Sequence, residues 1–158
     1  MTNEVEILLV EDDPADAELT LHALRETKLA NNIHTVHDGE EALDFLFCRG
    51  AYHGRSLDQP PRFVLLDLKL PKVDGMQVLK EMKNDPRTRA IPVVILTSSK
   101  EEKDLVNGYA IGVNSYIQKP VDFSQFTEVV KQSGMYWLLV NQPPPARSFV
   151  NRKVSSGT

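Results

Sequence analysis

Residues 63–71 read FVLLDLKLP: four apolar residues, a charged Asp67, and a proline four positions further on. A run that is apolar throughout suits a β-strand covered on both faces, as in a parallel sheet flanked by helices. An aspartate just past a strand is commonly a turn residue, so the meaning of Asp67 depends on what the rest of the chain sets beside it. Four further short runs carry strand composition: 5–10 (VEILLV), 33–36 (IHTV), 93–96 (VVIL) and 115–118 (SYIQ). Between them apolar residues recur at helical spacing. Ala17, Leu21 and Leu24 mark a first helix, and Leu43, Leu46 and Phe47 a second, opened by Asp38 and Glu41 in capping-box positions. Val78, Leu79 and Met82 mark a third, Leu105, Val106, Tyr109 and Ala110 a fourth over 101–111, and Phe126, Val129 and Val130 a fifth starting near Asp122. Strand and helix thus alternate along the chain, which predicts an α/β fold: a doubly wound, five-stranded parallel sheet flanked by five helices.

Length and composition bound the function. A chain of 158 residues, 41% hydrophobic and 25% charged, suits one domain with one core. With 22 acidic against 18 basic residues, it has no excess of positive charge for nucleic acid, and DNA is not an expected ligand. Cys48 is the single cysteine, so no disulfide forms within the chain. The opening MTNEVEILLV lacks the basic start and long apolar stretch of a signal peptide. No run approaches the roughly 20 apolar residues of a membrane helix, so the expectation is a cytoplasmic protein that does not enter a membrane. Two segments break the βα rhythm. Residues 48–61 (CRGAYHGRSLDQPP) form a connection longer than the usual two to six residues of αβ loops. Residues 142–158, beginning with three prolines after Gln142, read as a flexible tail following a domain over 1–141.

In an open α/β sheet, ligands bind beyond the carboxyl ends of the strands. Past the first strand stand Glu11, Asp12 and Asp13; past the third, Asp67; past the fourth, Thr97, Ser98 and Ser99; past the fifth, Lys119. Each has an ordinary reading alone, as an edge acid, a strand-end threonine or a surface lysine. Together they place acids, a hydroxyl and an ammonium on one edge. Clustered carboxylates repel and raise one another's pKa unless a cation offsets them. Oxygen ligands without histidine or cysteine call for a hard cation such as Mg²⁺, which binds through one or two carboxylates and a phosphate. A carboxylate is also a competent nucleophile toward phosphorus. Lys119 would offset charge on phosphoryl oxygens, and Thr97 would donate a hydrogen bond to one. Asp67 is therefore expected at the strand end in order to be phosphorylated. His22, His34, His37 and His53 show no spacing of a metal site.

The stretches LLVEDDP (8–14), LLDLKLPKVDG (65–75), VVILTSS (93–99) and YIQKP (116–120), in that order, resemble a receiver domain, the response-regulator half of a two-component phosphorelay. The resemblance runs from about residue 5 to 141 and implies a flavodoxin-like strand order, 2-1-3-4-5. Carried over residue by residue, it implies Asp67 as phosphoacceptor, Thr97 and Lys119 as catalytic groups, and Thr97 with Tyr116 as the switch pair. It implies Mg²⁺ at Glu11, Asp12, Asp67 and the backbone carbonyl of Lys69, and a sensor histidine kinase as phosphodonor. Lys69 and Ser99 fall at positions that tune hydrolysis in the family. The long connection and the ending MYWLLVNQPPP (135–145) look most like the stand-alone response regulators that partner cyanobacterial-type phytochrome histidine kinases. Such a protein is not an enzyme beyond its own phosphorylation and dephosphorylation. It would signal by phosphorylation-dependent binding; the alternative is a receiver-like interaction module that works without phosphate.

Two rival chemistries fit less well. A haloacid-dehalogenase-type phosphohydrolase needs a second acid two residues after the aspartate, where this chain has Lys69. A flavin carrier would use glycine- and hydroxyl-rich phosphate loops in place of an acidic edge. Finally, residues 135–140 (MYWLLV) are apolar all round a helix that can bury only one stripe on its sheet. Tyr136, Trp137 and Leu138 are thus candidates for a homodimer contact, with packing against the tail or the 48–61 connection as the other outlet.

Overall fold

The computed structural model describes residues 5–27, 32–98, 107, 109–119 and 121–132. Its elements run β1 (Ile7–Val10), α1 (Pro14–Thr27), β2 (Ile33–Val36), α2 (Gly39–Leu46), a 3₁₀ turn (Gly50–Tyr52), β3 (Phe63–Asp67), α3 (Gly75–Asn84), β4 (Val93–Thr97), β5 (Ser115–Gln118) and α4 (Phe123–Gln132). The five strands form one parallel sheet in the order β2-β1-β3-β4-β5, the flavodoxin-like arrangement. Four of the five expected helices appear among the described residues, the last of them as far as Gln132. The helix expected over 101–111 lies mostly outside the described residues, although Asn107, Tyr109 and Ala110 are helical. The dimer candidates Tyr136, Trp137 and Leu138, the tail, Ser99, Leu105 and Val106 also lie outside them.

The uninterrupted apolar strands follow from a sheet covered on both sides. Side chains alternate across a strand, and the core divides accordingly. Leu8, Val10, Val64, Leu66, Val93 and Ile95 face α2 and α3 on one side. Ile7, Leu9, Phe63, Leu65, Val94, Leu96 and Ile117 face α1 and α4 on the other, where the rings of Phe63 and Phe126 stack with centroids 6.4 Å apart. The helical stripes read from the sequence reach the core through Ala17 and Leu24, Leu43 and Leu46, Val78, Leu79 and Met82, and Phe126 and Val130. Two stripes differ from expectation. Tyr109 and Ala110, read as part of the apolar face of the helix over 101–111, are exposed. Phe45 supplies the buried aromatic of α2, whereas Phe47, just past the helix, is half-buried with the guanidinium groups of Arg49 and Arg87 over its ring. Among the described residues no helix is long and apolar enough to cross a membrane.

The 48–61 connection is built into the domain. Arg55 lies 3.7 Å above the Phe45 ring and donates to the carbonyl oxygens of Phe45 and Gln59. Tyr52 packs edge-on to Phe45 and His34, and its hydroxyl donates to Glu41 Oε2 at 2.7 Å. Because a tyrosine hydroxyl has one proton and a carboxylate only accepts, the 2.9 Å contact between His34 Nε2 and Tyr52 Oη requires His34 to carry its proton on Nε2.

Candidate functional site

All five strands end at one edge. The register sets Val10 beside Val36 and Leu66, Asp67 beside Leu96, and Thr97 beside Gln118, so Glu11, Asp67, Thr97 and Lys119 converge there. The expectation that Asp67 and Thr97 stand just past their strands needs a correction of one residue. Each is the last residue of its strand, only 5% and 2% exposed, respectively. The ladder extends to hold them because the neighbouring strands supply partners to the end: the Lys119 amide donates to the Thr97 carbonyl at 2.9 Å. A side chain held by a strand keeps its position better than one on a loop.

The loop from β3 to α3 is clamped around Asp67. The Lys69 amide donates to Asp67 Oδ1 at 3.0 Å, and the Gly75 amide to the Leu68 carbonyl at 2.9 Å. Gly75 sits so close that a Cβ there would lie 2.6 Å from Leu68 Cα and closer still to the Asp67 carbonyl oxygen. Gly39 opens α2 directly against the same loop, where a Cβ would overlap the Val73 carbonyl. Lys72, in the left-handed region at φ 68°, reaches Asp38 at 3.6 Å. Asp74 caps α3 through the Gln77 amide.

Lys119 is the centre of charge. Its Nζ lies 2.6 Å from Glu11 Oε1, 3.0 Å from Asp67 Oδ2 and 3.0 Å from Asp16 Oδ2. Burial alone would lower its pKa, but bonding to Glu11, Asp67 and Asp16 outweighs burial and holds the ammonium above the ordinary lysine range. Glu11 responds in the opposite sense: burial, and then the neighbouring Asp67 carboxylate, push it up to about 7. Among the described residues Glu11 Oε1 makes no well-directed hydrogen bond, the ammonium being its close charge partner. One lysine therefore does not satisfy the acids packed here.

A cation fits that deficit. Glu11, Asp12 and Asp67 each offer an oxygen within 4.8 Å of the others, Asp12 exposed and the other two buried. An all-oxygen set at an open mouth suits a hard divalent ion. The cleft around these acids encloses about 190 Å³ and includes Thr97, Ser98 and Lys69 in its walls. A larger groove of about 560 Å³ opens beside it along Leu68, Leu70, Pro71 and Met76. Asp13 serves locally, accepting from the Ala15 amide at 2.9 Å to cap α1. Tyr116 is 37% exposed and packs edge-on to Tyr109 at 6.1 Å.

Residues 7–131 match the family of the response regulator receiver domain. The chain belongs to that family. Among the relatives of this receiver domain is the probable methanogenesis regulatory protein FilR2 of Methanothrix harundinacea, 46% identical over 138 residues, spanning 87% of this chain and 86% of FilR2. The response regulator Rcp1 of Synechocystis is 37% identical over 132 residues, spanning 84% and 88%. Its Mn²⁺-bound crystal structure superposes with a TM-score of 0.72, covering 90% of this receiver domain and 99% of that chain at 36% identity. The bacteriophytochrome response regulator AtBRR superposes with a TM-score of 0.77 at 52% identity, covering 88% and 99%.

Sequence reasoning missed one member of the site, Asp16. It stands five residues after Glu11 on the first turn of α1, and its signal was local: Asp13 as cap and Pro14 at the first helical position set the turn that aims Asp16 back at the sheet edge. A second omission is the route from the connection to the site. Glu41, which accepts from Tyr52, also accepts from the His37 amide at 3.1 Å, and the His37 ring lies 3.3 Å from the Glu11 carbonyl.

Proposed function

We propose that this receiver domain accepts a phosphoryl group from a phosphohistidine of a sensor kinase onto Asp67 and signals through the change in its surface that follows. The observation that carries the reading is the contact of the buried Asp67 with Lys119 at 3.0 Å beside two further carboxylates. An Asp67 oxygen forms the O–P bond as the P–N bond breaks, and the departing imidazole keeps the electron pair and takes a proton. Lys119 offsets charge on the phosphoryl oxygens, and the Lys69 amide fixes the carboxylate that attacks. Thr97 donates to a phosphoryl oxygen, and Tyr116 turns inward as Thr97 moves. Glu11, Asp12, Asp67 and the Lys69 carbonyl would hold Mg²⁺, which when bound neutralises charge developing on the phosphoryl group. The similarity to Rcp1 and AtBRR supports a phytochrome-type histidine kinase as the donor. We also propose a homodimer to which Tyr136, Trp137 or Leu138 contributes, and a strictly monomeric mass in solution, with and without phosphorylation, would remove it.

The deciding experiment is intact mass after incubation with acetyl phosphate and Mg²⁺, beside Asp67→Asn and a chelated control. One added phosphoryl group that needs both Asp67 and the metal is expected. Failure with acetyl phosphate and with a phytochrome-type kinase would overturn the reading in favour of an interaction module that works without phosphate.

A further inference from the structure

Lys119 has three N–H donors and faces three carboxylates, but these are not equivalent. Glu11 and Asp67 come from the strand edge, and their side chains are 0% and 8% exposed; Asp16 comes from α1, and its side chain is 39% exposed. A buried pair is costly to break, whereas a half-exposed carboxylate exchanges its partner for water at little cost. We propose that Asp16 is a positioning residue that shares the ammonium of Lys119 with Asp67 and so limits how much of that charge a phosphoryl group on Asp67 receives. The inference rests on the phosphoacceptor role of Asp67.

The charge balance gives the proposal its sign. Phosphorylation converts the Asp67 carboxylate into an acyl phosphate, whose added negative charge lies on oxygens beyond the original carboxylate. Lys119 must follow that charge, and Asp16 opposes the move by attraction to the ammonium and by repulsion of the phosphoryl oxygens. Removing the Asp16 charge therefore strengthens the hold on an anion. It also leaves Lys119 less neutralised beside Glu11, Asp12 and Asp67, which weakens the hold on a divalent cation. Damage to the site would weaken both. The backbone of Asp16 is held independently of its carboxylate, its carbonyl accepting from Thr20 Oγ1 at 2.9 Å, so Asp16→Asn keeps the helix.

The test uses the full chain as wild type, Asp16→Asn and Asp16→Glu. Calorimetric titration with Mg²⁺ alone is expected to give a Kd about threefold weaker in Asp16→Asn, and the aspartyl phosphate formed from acetyl phosphate, followed at Mg²⁺ saturating for each variant, is expected to last about threefold longer, the scale of a half-exposed ion pair. Asp16→Glu, which keeps the charge, is expected near wild type in both. A Mg²⁺ affinity that stays the same or tightens, or an aspartyl phosphate that lasts no longer than in wild type, would overturn the role of Asp16. If wild type takes no phosphoryl group, the phosphoacceptor reading fails separately, and an unchanged Mg²⁺ affinity would then also remove Asp16 from the site.

Discussion

Replacing Gly75 with alanine tests whether the clamp around Asp67 matters to its chemistry. The new Cβ would lie 2.6 Å from Leu68 Cα, a separation about 1 Å short of ordinary carbon contact. Both of its nearest neighbours are backbone atoms of Asp67 and Leu68, so no side chain can swing away to relieve it. Overpacking of this kind costs about 1–3 kcal/mol, and at Gly75, the first residue of α3 after the Asp74 cap, alanine recovers only a few tenths of the roughly 1 kcal/mol it gains over glycine inside a helix. The net loss is about 1–2 kcal/mol, a fall in Tm of about 5 °C for a domain of this size. Such a variant stays folded at 25 °C, because ordinary domains hold about 5–15 kcal/mol in reserve. Its phosphorylation rate, however, should fall far more than its folded fraction, since displacement of a reacting group by about 1 Å costs on the order of 100-fold. The assay pairs a thermal melt with the initial rate of phosphoryl incorporation from acetyl phosphate. A rate within twofold of wild type would refute the reasoning, whatever the melt shows.

Three further predictions follow from the packing. Burial lowers the pKa of His34 from its ordinary 6.5, so below pH 6.5 the unfolded chain takes up a proton that the folded one refuses. The contribution of neutral His34 is complete above pH 6.5 and is lost as pH falls toward the lowered folded value. Urea unfolding between pH 5 and 7.5 should show wild type losing stability relative to His34→Gln across that window, and a constant difference would contradict this. Arg55→Lys removes the planar stack on Phe45 and the forked hydrogen bonds to Phe45 and Gln59, at a cost of about 1–2 kcal/mol. Hydrogen exchange should quicken in residues 48–61 and stay unchanged in β4 and β5. Lys119→Ala leaves the buried Glu11 and Asp67 without their ammonium, a loss of about 3 kcal/mol. Mg²⁺ should then raise the Tm of the variant by more than that of wild type; equal gains would count against the charge deficit inferred at this edge.

Much of this arrangement is legible in the sequence. Strands such as FVLL and VVIL are apolar on both faces, and that signal translates directly into a covered parallel sheet. Once the strands are placed, their carboxyl ends name Glu11, Asp12, Asp67, Thr97 and Lys119 without further information. The errors arose where position depends on another segment. Whether Asp67 and Thr97 end a strand or follow it depends on how far the neighbours pair. Ala42, Phe45 and Leu46 satisfy i, i+3, i+4 spacing as well as Leu43, Leu46 and Phe47 do, so the choice between Phe45 and Phe47 depends on where α2 ends. Asp16 and Tyr52 were invisible for the same reason: each meets its partner only in three dimensions, Asp16 at Lys119 and Tyr52 at Glu41.

The 48–61 connection has a consequence for anyone reducing this domain to its minimal form. Length comparison alone marks it as dispensable ornament, and a shortened loop would be the natural first edit in building a compact scaffold. Yet Tyr52 is the hydroxyl that occupies Glu41, and Glu41 in turn holds the peptide of His37 beneath Glu11. Excision would strip the cover from His34 and Phe45 and loosen the floor under the acidic edge, so a trimmed variant should lose chemistry at a distance from the cut. The insert is tied to the acidic edge through Tyr52, Glu41 and His37, and grafting it, rather than deleting it, is the edit that would carry those contacts into another framework.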